Sequence, residues 1–87
     1  MGKLSEMPNI GKVLEGKLER AGIDNPSDLV VFGSKASFER IKKADQSACL
    51  NTLYALEGAI QGIRWHGLDE VKKSELKEFY RKHYGNK

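Results

Sequence analysis

The sequence predicts an all-α fold on three observations. Apolar residues recur at three- and four-residue spacings along most of the chain, which is the period of an amphipathic helix. The one stretch of strand-like composition, Val30-Val31-Phe32, is short and lies inside a helical pattern. Both prolines, Pro8 and Pro26, fall where helices are expected to begin. We therefore expect a compact five-helix domain with a helix-hairpin-helix-like N-terminal half.

The first expected helix follows a tight turn at Met7–Val13. Asn9 is the non-glycine residue that best tolerates a left-handed backbone, and Gly11 supplies a second position without steric penalty. The helix is expected over about residues 10–21, with Val13 on its buried face. A single helical turn is expected before it, at residues 3–7.

Four further helices are expected, and each has a start or stop signal. The fourth should be the buried centre of the fold, because apolar and small residues go almost all the way round it. Gly58 and Gly62 on that helix are expected to let another helix approach closely. The expected spans are 26–32 (Asn25 N-cap, inward Leu29, Val30 and Phe32, Gly33 stop), 35–44 (after Ser34), 46–63 (Asp45 N-cap) and 69–84.

Composition limits the function classes. The chain has 87 residues with a formal charge of +3, so we expect one domain whose charge permits nucleic acid as a partner without requiring it. The only cysteine, Cys49, excludes an internal disulfide, and its apolar neighbours predict burial. No segment has the length of a membrane span or the pattern of a signal peptide, so a cytoplasmic location is expected.

The turn at Met7–Val13 predicts a phosphate-binding site. The first N–H groups of a helix have no partner within the helix, and the helix dipole favours an anion beside them. The alternative is a structural corner without a ligand. The predicted DNA phosphate-binding residues are Asn9, Ile10, Gly11, Lys12, Val13, Lys17 and Arg20.

The last expected helix carries a basic stripe. Lys73, Lys77 and Arg81 follow one another at four-residue spacing and therefore share a helical face. That face is either a second phosphate contact or an ordinary solvated surface.

Polar residues near the end of the fourth helix predict a structural network rather than a catalytic site. Glu57 lies among buried positions and needs a partner, for which Arg64 is a candidate, with Trp65 and His66 beside it. No metal-ligand spacing, nucleophile elbow or glycine-rich nucleotide loop is present. We expect no enzymatic activity, no metal, no cofactor and no small-molecule substrate.

Three sequence blocks resemble one known family. They are the segments at residues 7–14 (MPNIGKVL), 49–66 (CLNTLYALEGAIQGIRWH) and 76–80 (LKEFY). Together they are similar to the C-terminal domain of the TfoX/Sxy family of bacterial competence regulators. The resemblance implies an all-α domain with helix-hairpin-helix character and a role in transcription regulation or DNA contact. The sequence departs from those regulators in one respect: we expect a single domain over residues 1–87, without their additional N-terminal domain.

Two functions follow from these patterns. The first is a weak, sequence-nonspecific DNA-binding module that acts through the Pro8–Val13 hairpin. The second is a protein-interaction module, with a protein partner or a homodimer and no DNA contact. The acidic residues that would repel a phosphate backbone support the second function; they are Glu15, Glu19, Asp24, Asp28 and Glu39.

Overall fold

A computed structural model describes residues 3–85, and that part of the chain contains helices and no strand. The all-α prediction is therefore confirmed. The number of helices is four rather than five. In chain order the elements are a 3-10 turn (Leu4–Glu6), α1 (Lys12–Arg20), α2 (Pro26–Ala44), α3 (Leu50–Gln61), a second 3-10 turn (Trp65–Gly67) and α4 (Glu70–Tyr84).

Helix α2 joins the two helices that the sequence separates at Gly33. Gly33 adopts φ 83° and ψ 167°, so the helix kinks there and continues. The expected start is confirmed: Pro26 opens the helix, and the Asn25 side chain accepts a hydrogen bond from the N–H of Asp28 at 2.9 Å. The interruption that the sequence predicts at Gly33 is therefore present, but as a kink with non-helical angles between two segments of one helix rather than as a gap between two helices.

The turn between α2 and α3 corrects two expectations. Asp45 does not cap α3, because its carboxylate accepts from the N–H and hydroxyl of Ser47, at 3.0 and 2.6 Å, in a local turn. Helix α3 begins four residues later than predicted, at Leu50, with Cys49 as N-cap. Cys49 is exposed rather than buried, since the N-cap position lies outside the packed faces of the helix.

Helix α3 ends at Gln61 rather than at Ile63. Gly62 adopts a left-handed conformation with φ 79°, which stops the helix. No atom lies within 4 Å of a Cβ placed on Gly62, so this glycine does not serve close packing. Of the two glycines that were expected to admit a neighbouring element, only Gly58 does so.

The hydrophobic core forms around α3, which contacts both α2 and α4. The prediction that this helix is the centre of the fold is thereby supported. Three side chains expected to face inward are exposed instead: Val13 by 74%, Val30 by 53% and Phe32 by 39%. The largest fully buried side chains are Leu4, Leu18, Ile23, Leu29, Phe38, Ile41, Leu53, Leu56 and Leu76.

Candidate nucleic-acid interface

Asn9 joins the N-terminal turn to the end of α3. Its backbone has φ 70°, the left-handed conformation that its residue type predicted. Its side-chain Nδ2 donates to the carbonyl oxygens of Ile63 at 2.9 Å and Ala55 at 3.4 Å. Its Oδ1 accepts from the N–H of Trp65 at 3.0 Å. The amide therefore bonds to a carbonyl group in the middle of α3 and to backbone groups of the loop after it, and we call this contact the Asn9 clasp.

Gly58 makes room for the clasp. A Cβ on Gly58 would lie 2.6 Å from Nδ2 of Asn9, 2.9 Å from the carbonyl oxygen of Ile63 and 3.1 Å from Cα of Trp65. Those distances are shorter than van der Waals contact, so only glycine fits. Gly58 admits a close approach as expected, but the approaching group is the N-terminal turn and the loop after α3, not a helix.

Gly11 lies in the other half of the turn and has no such constraint. It is the N-cap of α1 in an extended conformation, with φ −95° and ψ −172°, and no atom lies within 4 Å of a Cβ placed on it. Gly11 therefore does not adopt the left-handed conformation that was considered for it, and no described part of the fold packs closely against it. Its lack of a side chain leaves the first turn of α1 without a side-chain cap.

The predicted backbone donors are divided between the fold and the surface. The N–H of Ile10 donates to the carbonyl oxygen of Met7 at 3.3 Å, and the Ile10 side chain is in the core. Gly11, Lys12 and Val13 are exposed. The N–H groups of residues 10–13 were expected to surround a phosphate. Three of them, those of Gly11, Lys12 and Val13, belong to exposed residues.

A shallow groove of about 420 Å³ lies beside this exposed turn. One wall is the start of α1, from Gly11 to Lys17, and the other is the first half of α3, at Asn51, Thr52 and Ala55. Two helix N-termini therefore border one groove, and each has a positive dipole end. Sequence reasoning missed Asn51 and Thr52 because it placed the start of α3 too early.

The start of α3 stabilises negative charge at Cys49. Burial, the largest single influence, acts to raise the pKa of the Cys49 thiol, but the backbone N–H groups of Thr52 and Asn51, the Thr52 side chain and the charge of Lys42 together lower the pKa below its ordinary value. This is the direction expected at a helix N-terminus. Asn51 and Thr52, whose N–H groups act on this thiol, line the groove, whereas Cys49 does not.

The three predicted cations differ in their environments. Lys17 Nζ lies 2.6 Å from a carboxylate oxygen of Asp45, and that interaction, with hydrogen bonds from Ser47, holds the pKa of Asp45 well below its usual range. Lys12 and Arg20 are exposed, and neither takes part in an ion pair within residues 3–85. Lys12 is therefore the cation at the groove whose charge is available.

The polar network at the end of α3 differs from the expected one. Glu57 accepts from the Ser34 hydroxyl and from Gln61 Nε2, both at 2.7 Å, so the predicted Glu57–Arg64 pairing is wrong. Arg64 is exposed. Glu57 therefore bonds to Ser34 on α2 rather than to Arg64. The sequence does not indicate this contact, because Ser34 is 23 positions away from Glu57.

Trp65 connects the loop after α3 to the helix and to the N-terminal turn. Its ring stacks on Tyr54 with centroids 5.6 Å apart and on His66 with centroids 4.0 Å apart. Its backbone N–H donates to Oδ1 of Asn9. The loop is therefore fastened to α3 as expected, but through Trp65 and Asn9. His66 is exposed at the end of this stack.

Two of the three cations in the basic stripe on α4 already contact other side chains of the fold. Lys73 Nζ lies 6.0 Å from the ring centroid of Trp65, and Arg81 pairs with Glu78 at 3.4 Å. Lys77 is exposed. The stripe is thus less available to phosphates than its sequence spacing indicates.

Metal binding and membrane crossing are two further functions that the described residues bear on. Within residues 3–85, no three or more His, Cys, Asp and Glu side chains are grouped so that they could hold a metal ion. Over the same residues, none of the helices combines the length and the apolar character that crossing a membrane requires.

These features define a small all-α domain with a clasped N-terminal turn and an anion-compatible groove. The model of the TfoX C-terminal domain matches residues 1–80, and the chain belongs to this family. The family resemblance seen in the sequence is therefore confirmed. The chain is 31% identical over 77 residues to protein Sxy of Escherichia coli K12, an alignment that covers 88% of this chain and 37% of Sxy.

Two crystal structures of Listeria monocytogenes proteins share the fold. An uncharacterised protein in a triclinic crystal form is 59% identical, with a TM-score of 0.95 over 98% of this chain and 97% of the other. A protein of unknown function in a tetragonal form is 62% identical, with a TM-score of 0.89 over 91% of this chain and 96% of the other. The chain thus spans the length of these structures but just over a third of Sxy.

Proposed function

We propose that this domain binds the phosphate backbone of DNA through the groove between the starts of α1 and α3, and that it serves a regulatory role of the kind implied for its family. The observation that carries the proposal is that two helix N-termini border one groove with Lys12 at its edge. Backbone N–H groups at helix starts are common phosphate ligands in protein–DNA complexes.

The same geometry indicates that binding is weak and independent of sequence. The groove offers backbone N–H groups and one available lysine, and these donors recognise phosphate oxygens, which carry no base information. Nonspecific binding of this type has dissociation constants on the order of 10⁻⁴ to 10⁻⁶ M at physiological salt. We expect an affinity in that range, with any regulatory specificity supplied by another component.

The experiment is a titration of a fluorescent duplex of about 20 base pairs, followed by anisotropy at about 50 and 200 mM salt. Phosphate contact predicts an affinity that falls steeply with salt, with a logarithmic slope of about −0.9 for each phosphate neutralised. Absence of binding at the lower salt would instead support the alternative function as a protein-interaction module.

Two charge-reversal variants locate the contact. Lys12→Glu and Lys82→Glu change the net charge equally, and both lysines are exposed, but only Lys12 borders the groove. We expect Lys12→Glu to weaken DNA binding about tenfold more than Lys82→Glu, because it places a carboxylate beside the phosphate. Equal losses from the two variants would mean that DNA responds only to net charge and would remove the groove from the mechanism.

A further inference from the structure

A second and larger groove, of about 680 Å³, lies between α2 and the end of α4. Its apolar part comes from Phe32, Ala36 and Tyr84, and its cationic part from Arg40, Lys42 and Lys43. None of these residues borders the groove at the N-terminal turn. The two grooves are therefore separate surfaces.

The kink in α2 contributes the first apolar side chain. Phe32 directly precedes Gly33, where the helix direction changes, and its side chain remains 39% exposed. Its neighbours Val30 and Val31 are 53% and 84% exposed, so this part of α2 displays apolar residues to solvent. Consecutive exposed apolar residues are typical of interaction surfaces.

The aromatic side chains of the groove are held in place by other contacts. The Arg40 guanidinium lies 4.7 Å from the ring centroid of Phe32, and Arg40 Nε donates to the carbonyl oxygen of Ala21 at 3.1 Å. Tyr84 packs edge-on against the buried Phe38, with centroids 5.6 Å apart. The groove is thus already formed, and a ligand would lose little free energy in shaping it.

The charge of the groove is positive and only partly compensated. Arg40, Lys42 and Lys43 face a single carboxylate, that of Glu39, and none of the three takes part in an ion pair among residues 3–85. Lys42 Nζ is fixed by the carbonyl oxygens of Gln46 and Ala48, at 2.6 and 2.8 Å. Carbonyl groups orient this ammonium group without neutralising it.

We propose that this groove binds an acidic, amphipathic segment of a partner protein. One large apolar side chain of the segment lies between Phe32 and Tyr84, and flanking carboxylates pair with Arg40 and Lys43. Charge complementarity selects an acidic partner, and the apolar floor selects a side chain that is removed from water on binding.

A peptide fits the groove better than a nucleic acid. Base recognition by aromatic residues requires a free ring face. Arg40 lies over the ring of Phe32, and Lys42 Nζ lies 5.6 Å from the ring centroid of Tyr84. One face of each ring is therefore covered by a cation and closed to a stacked base, whereas an apolar side chain can pack against the ring edges and Ala36.

The probe is a fluorescein-labelled peptide of about twelve residues, with aspartates and glutamates around a central tryptophan and leucine. Binding is followed by anisotropy, and the site is mapped by amide shifts in two-dimensional NMR. We expect the shifted amides to cluster at Phe32–Lys43 and at Tyr84. A matched peptide with serines in place of the tryptophan and leucine should bind at least about tenfold more weakly.

Three variants test the location. Lys43→Glu should weaken peptide binding about tenfold, whereas Lys82→Glu, an equal charge change outside the groove, should weaken it less than about twofold. Lys12→Glu should leave peptide binding intact even though it impairs DNA binding, so the two proposals fail separately. Lys43 is exposed, and an unchanged melting temperature would confirm that its variant is folded.

Three results would overturn the proposal. They are equal losses from Lys43→Glu and Lys82→Glu, amide shifts located at the N-terminal turn, and no binding of the acidic peptide at millimolar concentration. A thymidine oligonucleotide that shifts the groove amides when the peptide does not would reassign the groove to nucleic acid.

Discussion

Asn9 and Gly11 stand two residues apart in one turn, and the fold uses them in opposite ways. Asn9 is in the left-handed conformation, and its side chain makes three hydrogen bonds, one to the middle of α3 and two to the loop beyond it. Gly11 is extended and exposed, with open space around it. The turn thus has a clasp half, Met7–Ile10, and an open half, Gly11–Val13.

The comparison shows that an unusual backbone conformation need not mark the ligand site. The left-handed residue of this turn serves the fold, because its amide hydrogen-bonds to backbone groups of α3 and of the loop after it. The residue with ordinary backbone angles is the one beside the groove. Breaking the clasp half should therefore change stability, whereas changing the open half should change binding.

The largest effect is expected for Gly58→Ala, which breaks the clasp. The added methyl group would collide with Asn9 and with the backbone at Ile63 and Trp65. Overpacking and lost hydrogen bonds should exceed the helix-propensity gain of about 1 kcal/mol, for a net loss of about 2–4 kcal/mol in chemical denaturation. The matched control is Gly16→Ala in α1, whose nearest atom lies at 3.6 Å. It should be stabilising by up to about 1 kcal/mol, and similar results for both variants would contradict the clasp.

A slightly smaller loss is expected for Asn9→Ala, which deletes the amide and places alanine in a left-handed conformation. We expect about 2–3 kcal/mol of destabilisation. Asn9→Gly removes the same hydrogen bonds but tolerates the backbone, so it should be about 1 kcal/mol less harmful than Asn9→Ala. Urea unfolding of the two variants would separate the contributions. Wild-type stability in both would show that the three hydrogen bonds contribute nothing.

The smallest change in stability, with the largest change in binding, is expected in the open half. In Gly11→Asp the new carboxylate can cap the first turn of α1, because the backbone there is extended and the space is empty. Stability should rise by a few tenths to about 1 kcal/mol, while DNA affinity falls because the carboxylate takes the place of the phosphate. Gly11→Ala supplies no cap and should retain DNA binding. Thermal melting and anisotropy on the same samples would check both, and undiminished DNA affinity in Gly11→Asp would argue against phosphate contact at this turn.

The local signals in the sequence were sufficient for much of the fold. The helical period identified the all-α class and placed the last helix, expected at 69–84, within one residue of α4, and Asn25 and Pro26 located the start of α2. These succeeded because caps and helical periods depend on residues within a few positions of one another. Asn9 was correctly expected to be left-handed for the same reason.

The errors arose where a local signal had two outcomes. Asp45 can cap a helix or close a turn, and it closes a turn with Ser47. Gly33 interrupts the helical backbone where predicted, but the segments on its two sides form one kinked helix rather than two helices. Glu57 was assigned to Arg64 along the chain, yet its partner Ser34 lies 23 positions away.

The sequence indicated which turn borders the candidate site, but not which other residues contact that turn or line the groove beside it. The sequence by itself determined the all-α class, the family and the turn at Met7–Val13, since these depend on residue type and short-range spacing. Only the tertiary structure decided that Asn9 clasps α3 across 46–56 positions of sequence, and that Asn51 and Thr52 face Lys12 across a groove. The physical reason is that a buried amide or a helix terminus acquires its role from the groups packed against it, and packing joins residues that are distant in the chain.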